Sequence, residues 1–548
     1  MRIPIALYLL ALVARLVLLI HFPDAAYPDS YYYSDVARNI AAGHGLNVDF
    51  VWIFAEVGGK IPANPVLPIP SNGHWMPLAS LVQVPFLAIF GPNPIAAGLP
   101  FALIGSLAAP LTWAIARDAG SSRQVTIGAG ILVALPALLL VFMVQPDNFS
   151  LYQPLVAAAL WLGARALRGD ARAFVVAGLL VGLATLSRND GVLAGATLAL
   201  AFGWDRWRAW RSGGTRRPAI PVWAVVACFG LFVAVMAPWI WRQLVVFGQI
   251  SPSSASGKVF FIRTIGEWNS IDTPASLDWL LGQGIGPLVA SRVGGLVAAI
   301  GVFTTLALAQ ILVVPLIIGA WARRRSVDFG PFFVYAAMLF AFSALVSAVH
   351  VPGGTFIHSA VALVPHAYIL VLEGVAVGVA WIAARRRAWN VKTATTIFSS
   401  AVVALAAITA IVVGLGVHGG WAAQRSDRQA IGAALDLAGA TPDARVMSLD
   451  AAGFNYITGH PGVVTPNDPI ETIQRVAVAY QIEWLVIERD NAVPALAPVL
   501  NGTGRPAWIG APIYTIPDIA GSPGAALFPV CLSPSDVRCT IVASAAVP

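Results

Sequence analysis

The stretch Met76-Pro77-Leu78-Ala79-Ser80-Leu81-Val82-Gln83-Val84-Pro85-Phe86-Leu87-Ala88-Ile89-Phe90-Gly91 decides how this chain is threaded. It is apolar but shorter than the roughly 20 residues that a helix needs to cross a bilayer core. Around it lies a chain of 548 residues, 58% hydrophobic and 11% charged, with 18 Trp. That balance excludes a soluble globular domain and describes a polytopic membrane protein. Candidate spans of about 20 residues fall at 3–21, 94–117, 124–144, 148–168, 173–187, 190–204, 219–241, 294–321, 330–350, 358–384 and 397–417. If Met76–Gly91 stays interfacial or re-entrant, the loops carrying Arg117 and Arg123, Arg165 to Arg172, Arg206 to Arg217, Arg323 to Arg325 and Arg385 to Arg387 share the side of Arg2. This is the positive-inside pattern in every loop, and a full crossing by Met76–Gly91 inverts it.

The sequence therefore predicts an α-helical polytopic membrane protein of about eleven transmembrane helices, with a small C-terminal extracytoplasmic α/β domain. The net charge of +7 resides in short runs between apolar segments, so it sets orientation and implies no nucleic-acid partner. The same parity puts 22–93, Gln145 to Asn148, Ser187 to Asp190, 242–293, His350 to Ser359 and everything after about 418 outside. The membrane module is expected over 1–417 and the extracytoplasmic domain over 418–548, where the runs Arg445 to Leu449, Pro469 to Tyr480 and Trp484 to Ile487 read as strand, helix and strand. Asn47 to Pro70 reads as a loop packed on the membrane. Cys531 and Cys539 lie where a disulfide or two thiols are both open. Residues 1–21 read as a retained span rather than a cleaved signal peptide because Arg15 interrupts the apolar core; Arg15 is expected to snorkel or to pair with Asp24 or Asp29.

Chemistry belongs on the outer loops. Pro28-Asp29-Ser30-Tyr31-Tyr32-Tyr33-Ser34-Asp35 sets two carboxylates among three tyrosines, with a helix expected over 31–42. Asp29 reads either as a helix N-cap, a role that Ser30 is equally available for, or as a catalytic carboxylate. Asp147, in Gln145-Pro146-Asp147-Asn148, has the same two readings. Ser187-Arg188-Asn189-Asp190-Gly191 separates two short apolar runs, so Arg188 and Asp190 form either an anion site or a mutual pair at membrane depth. Lys258, Arg263 and His358 are cations on the same side that suit a phosphate or a lipid headgroup. Gly282-Gln283-Gly284-Ile285-Gly286 follows no strand and is discounted as a dinucleotide loop.

The order of these pieces resembles the GT-C membrane glycosyltransferases, in the protein O-mannosyltransferase and aminoarabinose transferase branch. The resemblance rests on Pro28 to Tyr33, Ala37-Arg38-Asn39-Ile40-Ala41-Ala42-Gly43-His44-Gly45, His74-Trp75-Met76-Pro77-Leu78, Gln145 to Asn148, Leu186 to Gly191, and His358-Ser359-Ala360 with Pro365, across residues 1–420. It implies an inverting transfer of a hexosyl or pentosyl unit from a polyprenyl-phosphate donor to an acceptor hydroxyl (protein, glycan or lipid) on the extracytoplasmic face of a bacterial plasma membrane. In that reading Asp29 is the base and Asp147 a second catalytic carboxylate; Arg188, Lys258, Arg263 and His358 serve the donor phosphate; Tyr32, Asp35, His74 and Asp190 support them. Many relatives have an acidic residue where Ser30 stands, so no cofactor is expected to be required and no metal ligand is assigned; a two-carboxylate metal site would recruit Asp35 or Asp147. A transporter or lipid flippase, and a non-catalytic anchor for the C-terminal domain, are the alternatives, although neither repeat symmetry nor polar residues deep in several spans stand out.

Overall fold

The computed structural model describes residues 2–213, 215–254, 256–346, 355–386, 389–518, 521–533 and 538. Two compact units form from interleaved segments: 1–24, 76–252 and 289–418 make the first, and 25–75, 253–288 and 419–548 the second.

The first unit is a helical membrane module. Among the described residues, seven helices are long and apolar enough to cross a bilayer: Arg2–His21, Pro94–Asp118, Val222–Phe247, Ile285–Ala307, Val327–Val346, Phe356–Ala383 and Val391–Leu437. Shorter apolar helices include Leu78–Phe90, Arg123–Leu139, Ala171–Ser187 and Val313–Arg323. Two expected spans are broken. In 124–144 the helix Arg123–Ala134 stops before Pro136, which lacks an amide hydrogen and pushes Leu135 out of the helical region; two short 3-10 turns follow. In 294–321 the helix begins earlier, at Ile285, and ends where Ala309 and Gln310 take positive φ of 44° and 59°, before Val313–Arg323 starts.

The first of these breaks explains Arg15. A helix that stops leaves its last carbonyls without intrahelical donors. The fully buried Arg15 donates through Nη1 to the Ala134 carbonyl (3.3 Å) and to its own Ala11 carbonyl (3.2 Å), rather than to Asp24 or Asp29 as expected. Elsewhere small residues let backbones touch. A Cβ on Gly319 would overlap the Leu370 carbonyl oxygen, and one on Gly374 the Pro315 carbonyl oxygen, so Val313–Arg323 and Val364–Ala383 meet across paired glycines.

The second unit is organised by a six-stranded mixed sheet. Its strands are β1 (Phe50–Val51), β2 (Val446–Ser448), β3 (Gly462–Val464), β4 (Trp484–Glu488), β5 (Tyr514–Pro517) and β6 (Pro523–Pro529), in the order β1-β3-β2-β4-β6-β5. The first four run parallel, and β6 pairs antiparallel to both β4 and β5. The sheet is therefore not confined to residues after 417. Phe50 and Val51 pair with Gly462 and Val463, and residues 50–55 are buried, so the stretch expected as a loop on the membrane is an integral strand and turn. The expected runs near 445, 469 and 484 are β2, the helix Ile470–Ala479 and β4. Of the two expected disulfide partners, Cys539 lies outside the described residues.

Two polar clusters tie the segments of this unit together. Arg428, 1% exposed, sends Nε and Nη2 to Glu488 (2.8 and 3.0 Å) and Nη1 to Asp450 (2.6 Å). Asp468 accepts from the amides of Ile271 (2.7 Å) and Asp272 (3.2 Å) and from the Ser270 hydroxyl, which fastens 253–288 to the sheet's flank. Arg428, Asp450 and Asp468 are buried, so each of these bonds is worth more than at a surface.

Replacing Gly374 by Leu should lower the stability of the detergent-solubilised protein by about 2 kcal/mol, the scale of forced overpacking. Thermal denaturation checks this, with Gly378→Leu as the control because nothing lies within 4 Å of a Cβ there.

Candidate active site

The first unit brings four of the expected residues into two linked pairs. Asp147 precedes the helix Phe149–Leu167, and His358 lies on Thr355–Ala360. His358 Nε2 is 2.8 Å from Asp147 Oδ2, while Asp147 Oδ1 accepts from the Asn148 amide at 2.5 Å. Asp147 is 0% exposed and His358 5%, with the Phe149 ring 4.2 Å from the imidazole. A carboxylate so buried needs a partner, and a histidine from a distant segment supplies it. His358, expected on a phosphate, is thus bonded to the second carboxylate.

Next to His358, Ser359 joins the other pair. Arg188 leaves the helix Ala171–Ser187 in an extended conformation, and the 3-10 turn Asn189–Gly191 starts the next helix. A Cβ on Gly191 would sit 2.5 Å from the Thr185 amide nitrogen, so only glycine lets the second helix restart this close to the first. Arg188 Nε donates to Asp190 Oδ1 (3.2 Å) and to Ser359 Oγ (3.0 Å), and Ser359 Oγ donates to Asp190 Oδ2. Ser187 Oγ reaches Asn148 Oδ1 at 3.1 Å and connects the two pairs. Both expected readings of Arg188 and Asp190 survive in this geometry: they are a mutual pair, and the pair sits in a broken helix at a polar cluster.

The second unit builds its own constellation around Asp29. The helix Pro28–Ala41 opens with Ser30, whose Oγ accepts from the amides of Ala26 and Tyr27 (both 3.0 Å) and donates to the Tyr27 carbonyl (2.8 Å). Ser30, not Asp29, fastens the start of the helix. Asp29 Oδ1 instead accepts from Trp75 Nε1 at 2.9 Å. Trp75 stacks on Tyr32 at 4.3 Å, meets His74 edge-on at 4.9 Å and Trp52 at 5.2 Å, and Tyr32 Oη accepts from the Asn72 amide at 2.6 Å. His74 in turn lies 5.2 Å from Trp268.

The other expected residues are placed as follows. Asp35 is buried and lies 3.8 Å from Arg38, which covers the Tyr456 ring. Burial, with Asp49 and Asp450 adding to it against Arg38, pushes the Asp35 carboxyl well above the ordinary carboxylate range, which suits a supporting role. Lys258 donates to the Ser270 carbonyl, and burial lowers its pKa against the pull of Asp468. Arg263 is bonded to Glu267 of its own turn (Nε to Oε1, 2.9 Å) and lies over Trp279. Lys258 and Arg263 belong to the second unit, Arg188 and His358 to the first.

Sequence reasoning missed Trp75 as the partner of Asp29, Ser359 as the third member of the Arg188 pair, and Glu56. Trp75 lies in the His74 to Leu78 motif, which gives it no role of its own; Glu56 is a lone carboxylate in an apolar run, and that isolation is the signal that finds it.

Comparisons with known proteins agree with this architecture. A family profile described as dolichyl-phosphate-mannose-protein mannosyltransferase matches residues 73–241. Among solved structures, ArnT from Cupriavidus metallidurans in the apo state aligns with TM-score 0.54 at 16% identity, over 96% of this chain and 97% of that one. The chain is therefore similar in fold to this membrane enzyme. The fold is also similar to that of ArnT bound to undecaprenyl phosphate (TM-score 0.50, 17% identity, 96% and 97% covered). It is likewise similar to that of the Archaeoglobus fulgidus oligosaccharyltransferase tethered to an acceptor peptide (TM-score 0.54, 14% identity, 95% of this chain and 74% of that one). Comparison with curated protein sequences finds no match. The profile covers Asp147 and Arg188 of this chain but begins after Asp29.

A double-mutant cycle on Trp75→Phe and Asp29→Asn should give a coupling energy of about 1.5–3 kcal/mol in unfolding stability, as for a hydrogen bond to a charged group. Phenylalanine keeps the stack on Tyr32 and removes only the donor.

Proposed function

We propose that this protein is an inverting glycosyltransferase that moves a sugar from a polyprenyl-phosphate donor to an acceptor hydroxyl at the extracytoplasmic face of a bacterial plasma membrane. The observation that carries the reading is the placement of Asp29: Ser30 fastens the helix start, and the Trp75 indole donates to the Asp29 carboxylate. A carboxylate relieved of the capping role is what a general base requires. The GT-C fold, the mannosyltransferase profile and the relative bound to undecaprenyl phosphate support the choice of donor, and the positive-inside pattern supports the face.

In this mechanism the acceptor oxygen attacks the anomeric carbon as its proton passes to Asp29. The bond from that carbon to the phosphate oxygen breaks, polyprenyl phosphate leaves with the electron pair, and the configuration inverts. Phosphate is a good leaving group, so the step calls for cations at the developing charge rather than a strong acid. The reading gives that role to Arg188, which lies within the profile-matched stretch and whose planar guanidinium suits phosphate. Asp147, bonded to His358, is the second carboxylate; the sugar and the class of acceptor follow from assays across donors.

Substituting Asp29 by Asn should lower transfer from a polyprenyl-phosphate sugar by about a hundredfold or more, the contribution of a lost general base, in protein that remains folded. Radiolabelled donor and extraction of the glycosylated acceptor provide the measurement. Undiminished transfer by the Asn variant would overturn the assignment.

A further inference from the structure

Glu56 ends the short helix Ile53–Glu56 in the second unit and is 5% exposed. Its Oε2 accepts from the Trp52 amide at 3.1 Å, and its carboxyl lies beside the Tyr32 hydroxyl. Trp52 and Tyr32 both pack on Trp75, one edge-on at 5.2 Å and the other stacked at 4.3 Å, beside the edge-on His74. Trp75 holds Asp29. Asn72 closes the loop: its amide donates to Tyr32 Oη, and its Nδ2 donates to the Trp75 carbonyl at 3.1 Å. One carboxyl thus touches both sides of the clamp that orients the proposed base, without reaching it.

We propose that Glu56 is a positioning residue for Asp29, acting through Tyr32, Trp52 and Trp75. The inference rests on the transferase reading above and names a residue that the reading does not use. Its chemistry follows from what faces the carboxyl. From the helix Pro28–Ala41 comes the Tyr32 phenol, and from the end of Ile470–Ala479 the Tyr480 phenol. Its own segment contributes only the Trp52 amide, and no cation of the described residues enters the balance. Burial therefore dominates and lifts the Glu56 pKa to about 8, with the Trp52 amide and the Tyr32 hydroxyl opposing it. Tyr480, at about 12, is raised by burial first and by Glu56 second, and Tyr32 is raised well above its ordinary value, so both phenols stay neutral.

The protonated carboxyl fits its apolar surroundings. Its ionisation sets an anion between two phenols with no countercharge, which draws water in and loosens Trp52 and Tyr32. The sign of the stability effect follows from proton counts. Between about pH 4.5 and about 8 the folded chain holds a proton that the unfolded chain has lost, so stability falls as pH rises through that window. Above it the contribution is flat.

The test is the pH profile of transfer from about pH 6 to about pH 10 in full-length protein in bilayers, using a polyprenyl-phosphate sugar as donor. In the parent, kcat should fall through a limb near 8 with little change in the acceptor KM. Glu56→Ala should lower kcat at every pH, by about tenfold or more, and Glu56→Gln, which keeps a neutral group of the same shape, should restore most of it and abolish the limb. Persistence of the limb in Glu56→Gln overturns the proposal. Should that variant fail to fold, Tyr32→Phe serves instead: it removes a hydroxyl that favours the ionised carboxyl, so the limb should move to higher pH, and an unmoved limb overturns the proposal.

Hydrogen exchange over residues 70–78, followed by mass spectrometry, separates this inference from the transferase reading. Exchange that accelerates above about pH 8 beyond the intrinsic rate in the parent, but not in Glu56→Gln, supports the coupling even in a protein that transfers nothing. Exchange without that difference overturns it whatever the assay shows.

Discussion

Polar groups in an apolar chain must find partners inside the protein, and the half-buried Arg188 and Asp190, with Ser359, show that constraint. A helix is broken there, a glycine lets the next one start, and a serine from a distant helix completes the bonds. The neighbour of that serine is His358, so the same short helix also holds Asp147. One short helix thus serves both a guanidinium–carboxylate pair at a helix break and a second, buried carboxylate. Arg15 obeys the same rule with a different solution, taking the orphan carbonyl of a helix stopped by proline.

In the second unit, the choice of serine at position 30 has a physical reading. A hydroxyl both accepts and donates, and Ser30 does both at the start of its helix, closing three backbone bonds within four residues. A carboxylate there has no proton to give the Tyr27 carbonyl. Of the two residues that the sequence offers for fastening this helix start, Ser30 is seen bonded to the Ala26 and Tyr27 backbone.

Legibility in the sequence followed distance along the chain. Long apolar runs announced the membrane class, and Trp484 to Ile487 read as a strand-like run, which the strand Trp484–Glu488 contains. The break at Ser187 to Gly191 was visible because polar residues and glycine interrupt one helical stretch. Parity put Asp147, Arg188 and His358 on one side, but nothing in it pairs Asp147 with His358, because that bond joins positions 211 residues apart. The strand Phe50–Val51 was illegible for a related reason: two residues carry no period, and their partners lie in the tail. The breaks at Pro136 and at Ala309 and Gln310 were hidden inside runs as apolar as an unbroken span.

The pairing of β1 with β3 also bears on biogenesis. Phe50 and Val51 are synthesised early, whereas Gly462 and Val463 emerge only after nearly all the membrane helices have been made. During elongation the first loop therefore presents an unsatisfied strand edge with buried-type side chains, the kind of surface that chaperones cover. Membrane insertion precedes completion of the sheet, and the helix bearing Asp29 acquires its final wall last. A nascent chain consequently carries its membrane helices well before its sheet can be complete.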